Sequence, residues 1–115
     1  MTPTRYIIIL HADGGVRMQA LETRDEPTLE QLQTYVDGYI ETVPAMFGAV
    51  LVVNEEGKMY PLPRNANATA LMRYKGWDYI CGDAVLCRPF GDKLVGFLLH
   101  NACEIVDSLR KAVPV

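Results

Sequence analysis

Five apolar residues follow one another from position 49 to position 53, with no polar residue between them. A strand with one wet face alternates apolar and polar residues, whereas an unbroken apolar run is typical of a strand covered on both faces. We therefore predict a central strand over residues 49–53. Its predicted neighbours are the strand at residues 39–43 and the strand at residues 79–88, both rich in strand-forming residues.

Two further patterns predict β-hairpins. Residues 5–11 and 16–21 form strand-like runs joined by Asp13-Gly14-Gly15, a turn sequence that favours chain reversal. Asn54-Glu55-Glu56-Gly57 predicts a second reversal, with residues 58–62 as its return strand. Because Pro61 and Pro63 lack a backbone donor, this return strand is expected either to lie at a sheet edge or to leave the sheet by Leu62.

Three segments have helical periodicity. Thr28 and Gln31 have the spacing of a capping box, which predicts a helix over residues 28–37, with Gly38 placed for a left-handed C-terminal cap. Asn65 or Asn67 caps a second helix that extends to about Tyr74. An apolar stripe predicts a third over residues 98–112. Strands and helices do not alternate regularly, so the predicted fold is a single α+β domain, residues 1–115, with a mainly antiparallel sheet.

Composition narrows the function classes. The net charge of -3 disfavours binding to duplex nucleic acid, and no apolar run reaches the length of a signal sequence or membrane span. We therefore expect a cytoplasmic protein with no membrane contact. Three widely spaced cysteines indicate reduced thiols with no disulfide bridge. Half of this small chain is apolar, which favours self-association, most simply as a two-fold dimer.

The candidate catalytic groups form weak constellations. Glu55 and Glu56 lie in a predicted turn, where neighbouring carboxylates usually point apart into water. His100 and Cys103 share a helical face but have no third group to orient them. Cys81 and Cys87 are too far apart for a zinc site. We predict no catalytic residue, metal ligand or cofactor.

One segment concentrates cations, amides and aromatic rings within a chain of negative net charge. These groups suit a nucleotide, because guanidinium groups bind phosphate and flat rings stack on bases. The alternative is a solvated short helix whose rings cover the sheet. The predicted ligand-binding residues are Arg64, Asn65, Asn67, Arg73, Tyr74, Lys75 and Trp77.

Four ordered motifs resemble the domain-of-unknown-function family numbered 3846. They are Gly38-Tyr39-Ile40-Glu41 with Val43, Val52-Val53-Asn54-Glu55-Glu56-Gly57-Lys58, Leu62-Pro63 with Asn65, and Gly82-Asp83-Ala84-Val85. The resemblance covers about residues 25 to 100. It implies a small protein of bacteria, phages or mobile elements and implies no reaction.

Three functional hypotheses follow. The preferred one is a non-enzymatic phage or mobile-element accessory protein that binds and sequesters a small anionic ligand, such as a nucleotide signal, and so counters host defence. The second is a module that inhibits or regulates a host protein through a sheet edge near residues 60–63. The third is a small hydrolase acting through His100 and Cys103 or through Glu55 and Glu56.

Overall fold

A computed structural model describes residues 3–22, 25–60, 62–73 and 78–111. The elements in these ranges are β1 (Arg5–Leu10), β2 (Val16–Leu21), α1 (Leu29–Val36), β3 (Ile40–Pro44), β4 (Val50–Asn54), α2 (Ala66–Leu71), β5 (Ala84–Phe90), β6 (Lys93–Val95) and α3 (Leu99–Lys111).

The strands form one antiparallel sheet in the order β2-β1-β5-β4-β3, and β6 pairs with the far end of β5. Strand β5 therefore separates the hairpin β1–β2 from the hairpin β3–β4. The predicted α+β class is confirmed. The predicted central strand is confirmed as β4, which lies between β3 and β5 and fully buries Leu51 and Val52.

Both faces of the sheet are covered, because successive strand residues point to opposite sides. On one face Ile8, Leu51 and Leu86 belong to a core that includes α2 and α3. On the other face, Ile9 and Val85 pack with α1. The inward residues of α3 are Ala102, Ile105, Val106 and Leu109, which confirms the predicted apolar stripe at these positions. No helix among the described residues is long and apolar enough to cross a bilayer.

The predicted first helix is confirmed as α1, and its capping box is present. The amide of Gln31 donates to Thr28 Oγ1 at 3.0 Å, and the amide of Thr28 donates to Gln31 Oε1 at 3.4 Å. The C-terminal prediction was wrong by one residue, since Asp37 takes the left-handed conformation, with a φ of 59°. Helix α2 begins after Asn65, as predicted, but ends at Leu71 and does not extend to Tyr74.

The predicted hairpin strand at residues 58–62 is wrong for the described positions 58–60. The amides of Met59 and Tyr60 both donate to the carbonyl of Glu56, at 3.0 and 3.1 Å, and so coil the chain into successive turns. The amide of Glu56 donates to Asn54 Oδ1 at 2.8 Å, which starts this turn directly after β4. These local bonds occupy the donors that a returning strand would need.

The predicted strand at residues 79–88 is correct only in its second half. Gly82 has a φ of 84°, a left-handed conformation that interrupts an extended strand, and β5 begins two positions later at Ala84. Before this break, residues 80–82 hydrogen-bond to residues 63–65, with Asn65 N donating to Ile80 O and Gly82 N donating to Pro63 O. The expected interruption at Gly82-Asp83 is therefore confirmed as a bend.

Candidate functional site

The candidate site lies at one end of the sheet, which we call the sheet end. Strand β1 ends there opposite the start of β5, because Leu10 pairs with Ala84. Strand β4 ends there opposite the start of β3, because Asn54 pairs with Ile40. The loops that follow or precede these four residues therefore meet at the same end of the sheet.

Asn65 joins three of the chain segments that meet at the sheet end. Its side chain is 1% exposed. Nδ2 donates to the carbonyls of Leu10 and Gly82 at 2.8 and 2.9 Å, and Oδ1 accepts from the amide of Ala68 at 3.0 Å as the N-cap of α2. Both amide protons and the oxygen are thus engaged inside the protein.

Asn54 joins α1 to the end of β4. Its Nδ2 donates to the carbonyls of Val36 and Asp37 at 3.0 and 3.1 Å, which are among the terminal carbonyls that a helix leaves unpaired. A Cβ atom on Gly38 would lie 2.7 Å from this nitrogen. The residue after the helix must therefore be small for Asn54 to reach the carbonyls.

Two more glycines allow close approach between loops. A Cβ on Gly57 would lie 2.9 Å from the carbonyl oxygen of Cys81, and a Cβ on Gly82 would lie 2.9 Å from Leu62 Cδ1. The turn after β4 therefore packs against residue 81, and residue 62 packs against residue 82. These contacts place the loop around Arg64 over the sheet end.

A group of charged and aromatic side chains lies on the outside of these loops, and we call it the Arg64 surface: Lys58, Arg64, Asp78 and Tyr79. The guanidinium carbon of the exposed Arg64 lies 4.0 Å from the centroid of the Tyr79 ring, and Lys58 Nζ lies 4.8 Å from the same centroid. Lys58 also forms an ion pair with Asp78. This hydrogen bond lowers the pKa of Asp78 and raises the pKa of Lys58.

A cavity of about 120 Å³ lies behind this surface. Its described lining includes apolar side chains of β3 and β4, the carboxylates of Glu41, Glu55 and Asp78, and the ammonium group of Lys58. Ligand pockets for drug-sized molecules usually exceed about 300 Å³. The cavity is therefore too small for a nucleotide, and its carboxylates would repel a phosphate.

The predicted binding residues have different environments. Arg64 and Arg73 are exposed, and the backbone amide of Arg73 donates to the carbonyl of Pro44 at 3.0 Å. Asn65 is buried and engaged as described, and Asn67 donates to the carbonyl of Gly14 at 3.3 Å. Tyr74, Lys75 and Trp77 lie outside the described residues, so their part in the site stays a prediction.

Sequence reasoning missed a second polar group at the sheet end, formed by Arg17, His11 and Asp83. His11 Nδ1 lies 2.8 Å from Asp83 Oδ2, and Arg17 Nε donates to His11 Nε2 at 3.2 Å. Asp83 belongs to the Gly82-Asp83 motif, which the sequence shows just before β5. The sequence does not show the strand pairing that brings Asp83 to His11.

The other candidate groups lie apart from the sheet end. His100 and Cys103 are exposed on α3, Cys81 and Cys87 are buried, and burial raises the pKa of the Cys87 thiol to about 12. A thiol held neutral in this way is a poor nucleophile. Within the described ranges, no group of three or more histidine, cysteine, aspartate or glutamate residues is arranged to hold a metal ion.

The geometry brings residues of the four sequence motifs into contact. Gly38 of the first approaches Asn54 of the second, while Leu62 and Asn65 of the third contact Gly82 of the fourth.

No curated protein and no solved structure matches the chain significantly. A family model described as "domain of unknown function (DUF3846)" matches residues 4–96. The chain therefore belongs to the DUF3846 family.

Proposed function

We propose that the protein binds a small anionic ligand of the nucleotide kind at the Arg64 surface, without changing it chemically. The observation that carries this proposal is the stacking of Arg64 on Tyr79 at 4.0 Å. The ring covers one face of the guanidinium group, and the group stays exposed. Its N–H edge remains suited to a phosphate, and its outer face to a flat base.

Binding takes place on this surface and not in the cavity behind it. The 120 Å³ cavity is too small for a base, and three of its lining residues are carboxylates. Lys58 is already neutralised by Asp78, so Arg64 carries the main attraction for a phosphate at this place. The predicted contacts of Tyr74, Lys75 and Trp77 belong to the same proposal, whereas Arg73 lies beside the β3–β4 turn, where its amide donates to the carbonyl of Pro44.

The biological setting belongs to the same proposal. The DUF3846 resemblance suggests a phage or mobile-element accessory protein, and such a protein would act in the host cytoplasm by sequestering a nucleotide signal. Binding without turnover suffices for this role, because it lowers the free concentration of the signal. Expression of the protein should then weaken a defence response that depends on a nucleotide signal.

Calorimetric titration tests the ligand directly. A panel of linear and cyclic nucleotides is titrated into the parent protein, Arg64→Ala and the control Arg110→Ala, which removes another exposed cation, from the last turn of α3. Losing a charge-assisted hydrogen bond costs roughly 1.5 to 3 kcal/mol, so Arg64→Ala should bind about ten- to hundred-fold more weakly. Arg110→Ala should match the parent. Absence of binding to the parent, or equal binding by Arg64→Ala, would contradict the proposal.

A protein partner is the second candidate function, and exposed apolar side chains favour it. Tyr39, Met59 and Tyr60 are 69%, 81% and 60% exposed, and the amide of Glu55 donates to the carbonyl of Tyr39. This apolar turn replaces the sheet edge that was predicted near residues 60–63. The partner is a host protein or a second copy of the chain. Light scattering of the purified parent and Met59→Glu distinguishes them, because it detects only self-association, which the new charge in this turn would reduce.

A further inference from the structure

The network of Arg17, His11 and Asp83 holds an imidazole ring in a defined orientation. Asp83 Oδ2 lies 2.8 Å from His11 Nδ1, and Asp83 Oδ1 accepts from the amide of Ala12 at 2.8 Å. Both carboxylate oxygens therefore face donors of the β1–β2 segment. The carboxylate fixes the ring and favours a proton on Nδ1.

The opposite nitrogen of the ring faces a cation. Arg17 Nε donates to His11 Nε2 at 3.2 Å, and since arginine has only donors, Nε2 carries no proton in this arrangement. The guanidinium group is placed by Gln19 Oε1, which accepts from it at 3.0 Å, and by the Tyr35 ring, 5.6 Å from its central carbon. Arg17 is exposed, and 30% of the His11 side chain is exposed.

We propose that Arg17 and His11 bind a phosphate group, either inorganic phosphate or a phosphate monoester. An oxygen of the phosphate replaces the hydrogen bond between the two side chains and accepts from Arg17 and from His11 Nε2. The ring takes up one proton at Nε2, from solvent or from a monoanionic phosphate, and becomes an imidazolium that donates from both nitrogens. Guanidinium and imidazolium groups are strong donors to phosphate oxygens.

The surrounding charges are compatible with this site. Asp83 stabilises the imidazolium from the Nδ1 side, away from the phosphate. Asp13, in the loop before β2, is engaged with the amide of Gly15 at 2.8 Å. Arg17 faces the ring from β2, and Tyr35 of α1 lies against Arg17. Because the ring must gain a proton to donate from Nε2, binding of a given ionic form of the phosphate should tighten as the pH falls.

This site uses none of the residues of the Arg64 surface, so its test is independent of the proposed function. Without a phosphate role, the network would only tie the β1–β2 loop to the start of β5. In that case the His11 ring signals would not respond to phosphate. A binding measurement that reports on the ring itself therefore separates the two roles.

The experiment is a nuclear magnetic resonance titration of the His11 ring signals in the parent protein with inorganic phosphate and with phenyl phosphate, at pH 7. Sodium chloride at matched ionic strength controls for screening. The second histidine of the chain, His100, is an internal control on α3. We expect the His11 signals to shift toward the imidazolium position and saturate, while the His100 signals stay near their chloride positions. Tighter binding of phenyl phosphate would identify a monoester as the ligand.

Arg17→Gln should weaken phosphate binding at least about tenfold, whereas Lys93→Gln, the loss of another exposed cation, should leave it unchanged. Asp83→Asn should bind more weakly, because the imidazolium loses the carboxylate that stabilises it at Nδ1. Equal movement of the His11 and His100 signals in the parent, an equal response to chloride, or full binding by Arg17→Gln would overturn the proposal. The parent titration needs no variant, so it decides even if a substitution impairs folding.

Discussion

Asn65 Nδ2 donates a hydrogen bond to the carbonyl of Leu10 at 2.8 Å, across 55 positions of the chain. This bond joins the start of α2 to the end of β1. Backbone groups at the end of a strand and at the start of a helix both lack regular partners, and one buried amide supplies partners to both. The Asn65 side chain therefore stabilises the structure of the sheet end.

Asn65→Ala should lower the free energy of unfolding by about 2 to 4 kcal/mol. The substitution removes the helix cap and leaves the carbonyls of Leu10 and Gly82 without this donor. Asn67→Ala is the matched control, since Asn67 is only partly buried and makes one 3.3 Å bond to the carbonyl of Gly14. Its effect should stay below about 1 kcal/mol. Urea unfolding measures both, and equal losses would contradict the structural role of Asn65.

Leu51→Asp should unfold the protein or lower its stability by more than about 4 kcal/mol. Leu51 is fully buried in β4, and a carboxylate placed there would have no partner. Thr42→Asp, on the neighbouring strand but exposed, should cost no more than about 1 kcal/mol. Thermal denaturation compares the two variants. A Leu51→Asp protein that melts with the parent would refute the position of β4.

Gly38→Ala should destabilise the protein through Asn54. The new methyl group would lie 2.7 Å from Asn54 Nδ2 and would displace it from the carbonyls of Val36 and Asp37. The loss of unfolding free energy caused by Gly38→Ala should therefore be about 1 kcal/mol smaller in a protein that already carries Asn54→Ala. A double-mutant cycle followed by urea unfolding measures this coupling. Additive effects would show that Gly38 acts through something other than Asn54.

Cys87 should make stability depend on pH in the alkaline range. Burial raises the pKa of its thiol from 9.0 to about 12, so above pH 9 the unfolded chain loses a proton that the folded chain keeps. The stability that this thiol contributes is complete below pH 9 and is lost progressively between pH 9 and pH 12. The slope approaches about 1.4 kcal/mol per pH unit.

Cys87→Ala provides the comparison for this pH dependence. It lacks the buried thiol but keeps every tyrosine and lysine that also titrates at high pH. Between pH 9 and pH 11, the difference in unfolding free energy between parent and variant should therefore narrow. Parallel curves from urea unfolding at several pH values would show that the Cys87 thiol ionises equally in both states.

Local signals made much of the fold predictable. The hairpin β1–β2 follows from its turn glycines, and α1 follows from Thr28 and Gln31, which lie three positions apart. The predicted return strand after Asn54 does not form, because the amide of Glu56 donates to the Asn54 side chain and the amides of Met59 and Tyr60 donate to the carbonyl of Glu56. A residue pattern that suits a hairpin does not show which of these bonds will prevail.

The sites were harder to predict than the elements, since their partners are distant in sequence. His11 and Asp83 lie 72 positions apart and meet only because β5 inserts beside β1. The sequence predicts Arg64 as a binding residue, but its stacking on Tyr79 depends on the pairing of residues 63–65 with residues 80–82. Neither pairing has a signal within one window of the sequence.

The insertion of β5 between the two hairpins has a consequence for how the protein is made. Until residues 84–90 have been synthesised, β1 and β4 each present an unpaired apolar edge, and no other strand among the described residues joins them. Exposed strand edges favour aggregation of incomplete chains. A nascent chain that stops before residue 84 therefore leaves both edges unpaired, and the sheet closes only after β5 has been synthesised.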